Sequence, residues 1–128
     1  MFKNTEAFSS FSVNDIEKAH KFYGETLGVN VSKETEGLAL TLGGGGGSVF
    51  IYPKEDHEAA TFTVLNFKVG DLEKTVDDLT ASGIKFESFE GEMKTDEKGI
   101  FHGGSSGNGP NIAWFKDPSG NFLAVIEV

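Results

Sequence analysis

One short pattern occurs twice in this chain. Phe11-Ser12-Val13-Asn14-Asp15-Ile16-Glu17-Lys18 is answered by Phe67-Lys68-Val69-Gly70-Asp71-Leu72-Glu73-Lys74. Phe, Val, Asp, Glu and Lys are identical in place, and Ile is matched by Leu. The surroundings match as well. Residues 6–13 alternate, with Phe11 and Val13 set against Ser10 and Ser12, which is the period of a strand. Asp15 can then cap a helix through its carboxylate. Ile16, Ala19, Phe22, Tyr23 and Leu27 recur at helical spacing, and Gly28 is a suitable stop. In the second copy Thr63–Val69 alternates, Asp71 can cap, Leu72, Val76 and Leu79 form the apolar stripe, and Gly83 ends it. Chance produces short matches, but not readily the same strand, cap, helix and glycine in order. The chain reads as an internal duplication.

Each half needs further strands to cover its apolar stripe. In the first half the candidates are Val29–Lys33, Leu38–Leu42 and Ser48–Tyr52, with Gly43–Gly47 between the last two. In the second half, two apolar runs from Ile112 to Glu127 flank Asp117-Pro118-Ser119-Gly120. Pro118 pre-sets φ, Asp117 can bond forward to the backbone, and Gly120 tolerates a positive φ, so the stretch predicts a hairpin. Between helix and hairpin, Gly91 to Pro110 is polar, rich in Gly and Ser, and almost without period. Long structureless loops are uncommon in compact domains. The expectation is a mobile flap near a pocket, in which Ile100-Phe101 packs or forms a short strand. The reading is an α+β fold, a single domain over 1–128, with repeats at about 6–53 and 62–128.

Composition narrows the function. At 128 residues a sizeable core is available. Eleven Lys and Arg against twenty Asp and Glu give a formal charge of −9. A general basic field is therefore missing, which argues against nucleic acid or an anionic membrane surface as partner. There is no Cys, so thiolate metal sites and disulfides are excluded. The first residues lack the apolar core of a signal peptide, and no run approaches the ~20 apolar residues of a span. A cytoplasmic location is the expectation. Twelve Phe in so short a chain can fill a core or line an apolar cavity.

Side chains that carry chemistry are sparse. Gly43–Gly47 lacks the following Lys-Ser/Thr and helix of a phosphate loop, so a hairpin turn is the better reading. Asp15 and Asp71 read as helix caps. His20 falls on the exposed side of the first helix. His57, in Lys54-Glu55-Asp56-His57-Glu58, reads as part of a solvated crossover. His102 lies in the polar segment, without an evident partner for acid–base work. No Ser–His–Asp arrangement is visible.

Three stretches resemble the vicinal oxygen chelate superfamily, which includes glyoxalase I, extradiol dioxygenases and bleomycin-resistance proteins. They are Phe11 to Gly28, with its Asp-led helix and Phe22-Tyr23…Leu27-Gly28 ending; the repeat at Phe67–Gly83; and Phe115-Lys116-Asp117-Pro118-Ser119-Gly120-Asn121. The resemblance implies paired βαβββ modules forming a curled mixed sheet around a cleft. In metal-dependent members His and Glu from the first and last strands of each module hold a divalent ion. Carried across one by one, those positions fall at Phe8, Phe50, Val64 and Ala124. None offers imidazole or carboxylate, so no metal and no cofactor is expected.

Strand parity then selects the walls of that cleft: Phe8, Ser10 and Ser12; Phe50 and Tyr52; Val64, Asn66 and Lys68; Ile112 and Trp114; Phe122 and Ala124. Trp and Tyr stack on planar or cationic ligands, and Asn66 and Lys68 can fix polar groups. The resemblance to bleomycin-resistance proteins implies a metal-free protein that sequesters a small aromatic or cationic compound without breaking a bond. It also implies a homodimer. Two alternatives stand beside this reading. One is a lyase or isomerase of glyoxalase type, its metal held by residues such as Glu36, His57 or His102. The other is an interaction module with a closed cleft.

Overall fold

A computed structural model describes residues 1–43, 47–107 and 109–128. The chain divides into two compact units, Met1–Glu58 and Ala59–Val128. Residues 44–46 of the glycine run, and with them most of the turn expected there, lie outside the described residues.

The first unit runs β1 (Ser9–Val13), α1 (Ile16–Lys21), β2 (Asn30–Glu34), β3 (Gly37–Thr41) and β4 (Ser48–Pro53). Asp15 is extended, and its carboxylate accepts from the Lys18 N–H at 3.1 Å, so the helix starts where the cap predicts. After Lys21 the helix widens into a π turn over Phe22–Thr26, closed by the Leu27 N–H on the Phe22 carbonyl at 2.9 Å. Gly28, at φ +70°, then reverses the chain. Tyr23 of this turn is 0 % exposed, with Phe11 tilted against it at 6.1 Å and Phe22 edge-on at 5.2 Å. Burying a ring of that size contributes roughly 1.5–3 kcal/mol. The sheet order is β1-β4-β3-β2, with β1 parallel to β4 and the other pairs antiparallel. Phe11, Val13, Leu38, Leu40, Val49 and Ile51 share one face by register and are all buried.

The second unit follows the same strand order with one short helix added: β5 (Thr63–Val69), α2 (Leu72–Ala81), β6 (Ile100–His102), α3 (Gly103–Ser106), β7 (Asn111–Lys116) and β8 (Phe122–Glu127). The sheet order is β5-β8-β7-β6, again with one parallel pair, β5 with β8. Asp71 caps α2 through the Lys74 N–H at 3.1 Å. Glu127 also serves this helix start, accepting from the Leu72 N–H at 3.0 Å, where a negative charge suits the helix dipole. Leu65, Ala113, Phe115, Leu123 and Val125 are buried on the helix side. The β7–β8 turn behaves as its residues predict. The Asp117 carboxylate accepts from the Ser119 and Asn121 N–H groups at 2.9 Å each, and Gly120 sits at φ +85°. Asn121, 1 % exposed, donates its side-chain amide to the other Asp117 oxygen at 2.9 Å. The α+β fold of two βαβββ units is the one the repeat predicts.

One expectation is corrected. The described part of Gly91–Pro110 is not structureless: it carries the short strand expected at Ile100-Phe101, a 3-10 turn at Gly91–Met93 and α3. Ile100–His102 pairs with β7, and Ile100 and Phe101 are buried. A tight turn leads into it: the Asp96 N–H bonds the Ile100 carbonyl, and Asp96 Oδ1 accepts from the N–H groups of Lys98 and Ile100 at 2.9 Å each. The physical reason is edge pairing. β7 needs a partner on its outer side, and three residues suffice once side chains fix the turn.

Candidate functional site

In each unit one face of the sheet takes the long helix, α1 or α2, and the other is free of that helix, although in the second unit Gly103 of the short α3 lies against the Phe101 ring. The sequence places its candidate residues on that other face. Register tests the placement and makes the two sheets comparable rung by rung. In the first unit Ser10 lies beside Phe50, and Phe50 beside Ala39. In the second, Asn66 lies beside Ala124, and Ala124 beside Trp114. Ser10 and Asn66 hold the same place in the repeat, each five residues before its helix cap. Phe50 and Ala124 are therefore true counterparts, as are Ala39 and Trp114.

Ser12 and Tyr52 form the next rung of the first face. Phe50 and Tyr52 are both half-buried, their rings nearly parallel with centroids 6.4 Å apart. The Phe50 ring also crosses Gly37. A Cβ there would stand 3.1 Å from its Cζ and 2.1 Å from the Ile51 carbonyl oxygen. Phe8 does not extend this face. It precedes β1 and is 69 % exposed.

On the second face the rungs are Asn66, Ala124 and Trp114, then Lys68, Ile126 and Ile112. Val64 falls in a register irregularity between Thr63 and Leu65, off the regular ladder. Trp114 is half-buried and meets Phe89 edge-on at 5.4 Å and Phe101 at 6.3 Å. Sequence reasoning missed these two rings, because both lie in or beside the aperiodic segment. Ala124 was expected to line an open wall but is 0 % exposed, set between Asn66 and Trp114. Phe122 is half-buried, and the Lys116 ammonium lies 5.0 Å above its ring centre. Lys116 also faces Glu87 at 3.8 Å.

Two histidines have partners that the sequence did not reveal. His57 is not merely solvated: its Nδ1 lies 2.7 Å from the Ser12 hydroxyl, which brings the ring to the Ser12–Tyr52 rung. His102 Nε2 lies 2.7 Å from Asp96 Oδ2. Partial burial alone would push the Asp96 carboxyl up. The bond from His102 and the Ile100 and Lys98 N–H groups outweigh it and hold the carboxyl below its usual range. Neither contact is signalled by sequence spacing.

Surface cavities among the described residues lie elsewhere. One, of about 210 Å³, is formed by Ile16, Glu17, Lys33, Glu36 and Pro53 beside the start of α1. Another, of about 360 Å³, is formed by Val76, Ile84, Phe86 and Lys98 on the helix side of the second unit. Among the described residues, no group of three His, Asp or Glu side chains converges as a metal ion would require. The rung residues beside Phe50 and Ala124 are Ser, Ala, Asn and Trp, a donor set poorly matched to a divalent ion.

Two four-stranded mixed sheets, each built in βαβββ order with one helix-free face, define the class of paired-module proteins. Residues 8–125 match the Glyoxalase/Bleomycin resistance protein/Dioxygenase superfamily, and the chain belongs to that family. It is 26% identical over 130 residues to protein YraH of Bacillus subtilis, covering 91% of this chain and 92% of that one. Among solved structures it is similar to a glyoxalase family protein from Enterococcus faecalis, with a TM-score of 0.67, 23% identity, and 99% and 100% of the two chains covered. It is also similar to TnmS3, an antibiotic binding protein from Streptomyces sp. CB03234, with a TM-score of 0.66, 20% identity, and 97% of each chain covered.

Proposed function

We propose that this chain binds a small organic compound with a planar ring on the helix-free face of its sheets, without a metal ion and without breaking a bond. The observation that carries the reading is the rung Asn66–Ala124–Trp114. The position from which metal-dependent relatives present a carboxylate holds a methyl group here, with an indole beside it. The counterpart rung has Phe50 and Ala39. Neither rung offers an anionic donor, and both offer a ring. Half-exposed aromatic faces suit stacking on planar ligands, each contact contributing about 0.5–1.5 kcal/mol beyond area burial. The likeness to an antibiotic binding protein adds support for sequestration. A second copy of the chain completing the site is part of the proposal.

The test has two arms. Protein purified without chelator is dialysed, and its Zn, Ni, Mn and Fe are measured. Sub-stoichiometric metal is expected, and one tightly held ion per chain would sink the reading. The same protein is screened by thermal shift against planar aromatic compounds, since a ligand that prefers the folded state raises the midpoint by mass action. At least one class of ring is expected to stabilise it. A flat response to every ring, together with an unchanged Trp114→Ala profile, would contradict binding.

A further inference from the structure

We infer that the ligand taken by the second unit is an aromatic anion, its ring against Trp114 and its carboxylate or phenolate at Lys68 and Asn66. The inference rests on the binding reading above and specifies its chemistry. Three observations carry it. First, Lys68 and Asn66 are both exposed, and both point to the helix-free face, because their ladder partners are Ile126 and Ala124. Second, Trp114 stands two strands away on the Asn66 rung, roughly 10 Å across the sheet at ordinary strand spacing. That is about the span of a two-ring system bearing one anionic group. Third, the charges of the face do not cancel at Lys68. Lys116, the other lysine on it, is matched by Glu87 at 3.8 Å and covers Phe122. Glu127 points to the helix side, where it holds the Leu72 N–H. Among the described residues no carboxylate pairs with Lys68.

A cationic ligand at Asn66 and Trp114 would meet the Lys68 ammonium, and Glu87 is already engaged by Lys116. An anionic one gains a charge-assisted hydrogen bond from Lys68 and a neutral one from the Asn66 amide. The net charge of −9 does not oppose this at contact. Screening confines distant repulsion to about 8 Å at physiological salt, whereas the Lys68 ammonium would touch the ligand. The long-range field slows arrival and leaves the preference at the site to Lys68.

The experiment uses three probes with the same ring: 2-naphthoate, 2-naphthalenemethanol and protonated 2-naphthylmethylamine. Each is titrated calorimetrically into the full chain at pH 7. The naphthoate is expected to bind about tenfold more tightly than the alcohol, the scale of one charge-assisted bond, with the amine weakest. In Lys68→Met the naphthoate advantage should vanish. In Lys85→Met, which removes a lysine from the helix-side cavity, it should persist. An alcohol or amine that matches the naphthoate, or an advantage that survives Lys68→Met, overturns the anion assignment while leaving ring binding intact. No binding of any of the three overturns both readings.

Discussion

On the same rung of the two sheets, the bulky side chain sits on different strands. In the first unit Phe50 on β4 lies beside Ala39 on β3. In the second, Ala124 on β8 lies beside Trp114 on β7. Each rung keeps one ring and one methyl group, but the ring has moved one strand over, about 4.8 Å. Two residues along the third strand the volumes differ again: the counterpart of Gly37 is Ile112. The duplication therefore preserves backbone register while redistributing volume. The lesson concerns what each face can accept. In the first unit the Phe50 ring folds over its own glycine and stacks beside Tyr52. In the second, Trp114 is propped by Phe89 and Phe101 from outside the repeat.

The largest expected effect comes from forcing the first unit to resemble the second at this point. In Gly37→Ala the new methyl group would stand 2.1 Å from the Ile51 carbonyl oxygen, a backbone atom that cannot swing away. The expected loss is about 3 kcal/mol, the upper range for overpacking, read as a lower urea midpoint. A midpoint within error of wild type would show that the two third strands are not differently constrained.

Next in size is the other asymmetry, the turn before the last strand. In sequence, the first unit has a glycine run before its last strand, where the second has a buried Asp117–Asn121 pair. Asn121→Ala removes an amide donor from a buried carboxylate and is expected to cost about 2 kcal/mol, again by urea denaturation. An unchanged midpoint would mean that the backbone donors alone hold Asp117.

A smaller effect concerns Asp96, which fixes the turn into β6 and has no counterpart in the first unit. Its carboxyl is held below the usual 3.8, so it contributes stability above that value, and the contribution is lost as pH falls through the folded-state value. Asp96→Asn should therefore be less stable than wild type at pH 6, and the difference should shrink as the solution is acidified below about 4. A difference that stays constant down to pH 2 would show that the charge of Asp96 plays no part.

The duplicated frame was open to a sequence reading. Caps at Asp15 and Asp71, parity in β1 and β5, and the Asp117–Gly120 turn all depend on neighbours close in the chain, so local rules reach them. Parity also put Asn66, Lys68, Ile112, Trp114, Phe122 and Ala124 on one face. What stayed hidden depends on distant pairings. His57 reaches Ser12 across forty-five positions, and a hydroxyl–imidazole contact leaves no periodic trace. Phe89 and Phe101 support Trp114 from a segment whose Gly and Ser content looked unstructured, because its order comes from side-chain-fixed turns rather than alternation. Phe8 failed for the opposite reason: alternation continued on paper beyond the point where β1 begins.

The most direct test is optical, because Trp114 is the only tryptophan. Its fluorescence is followed while 2-naphthoate is added to dialysed protein, with and without EDTA. A saturable change at one ligand per site, unaltered by the chelator and abolished in Trp114→Phe as an optical control, is the expected result. A saturable change that disappears with EDTA would contradict a metal-free aromatic site at this face, and so would the absence of any saturable change with both 2-naphthoate and 2-naphthalenemethanol.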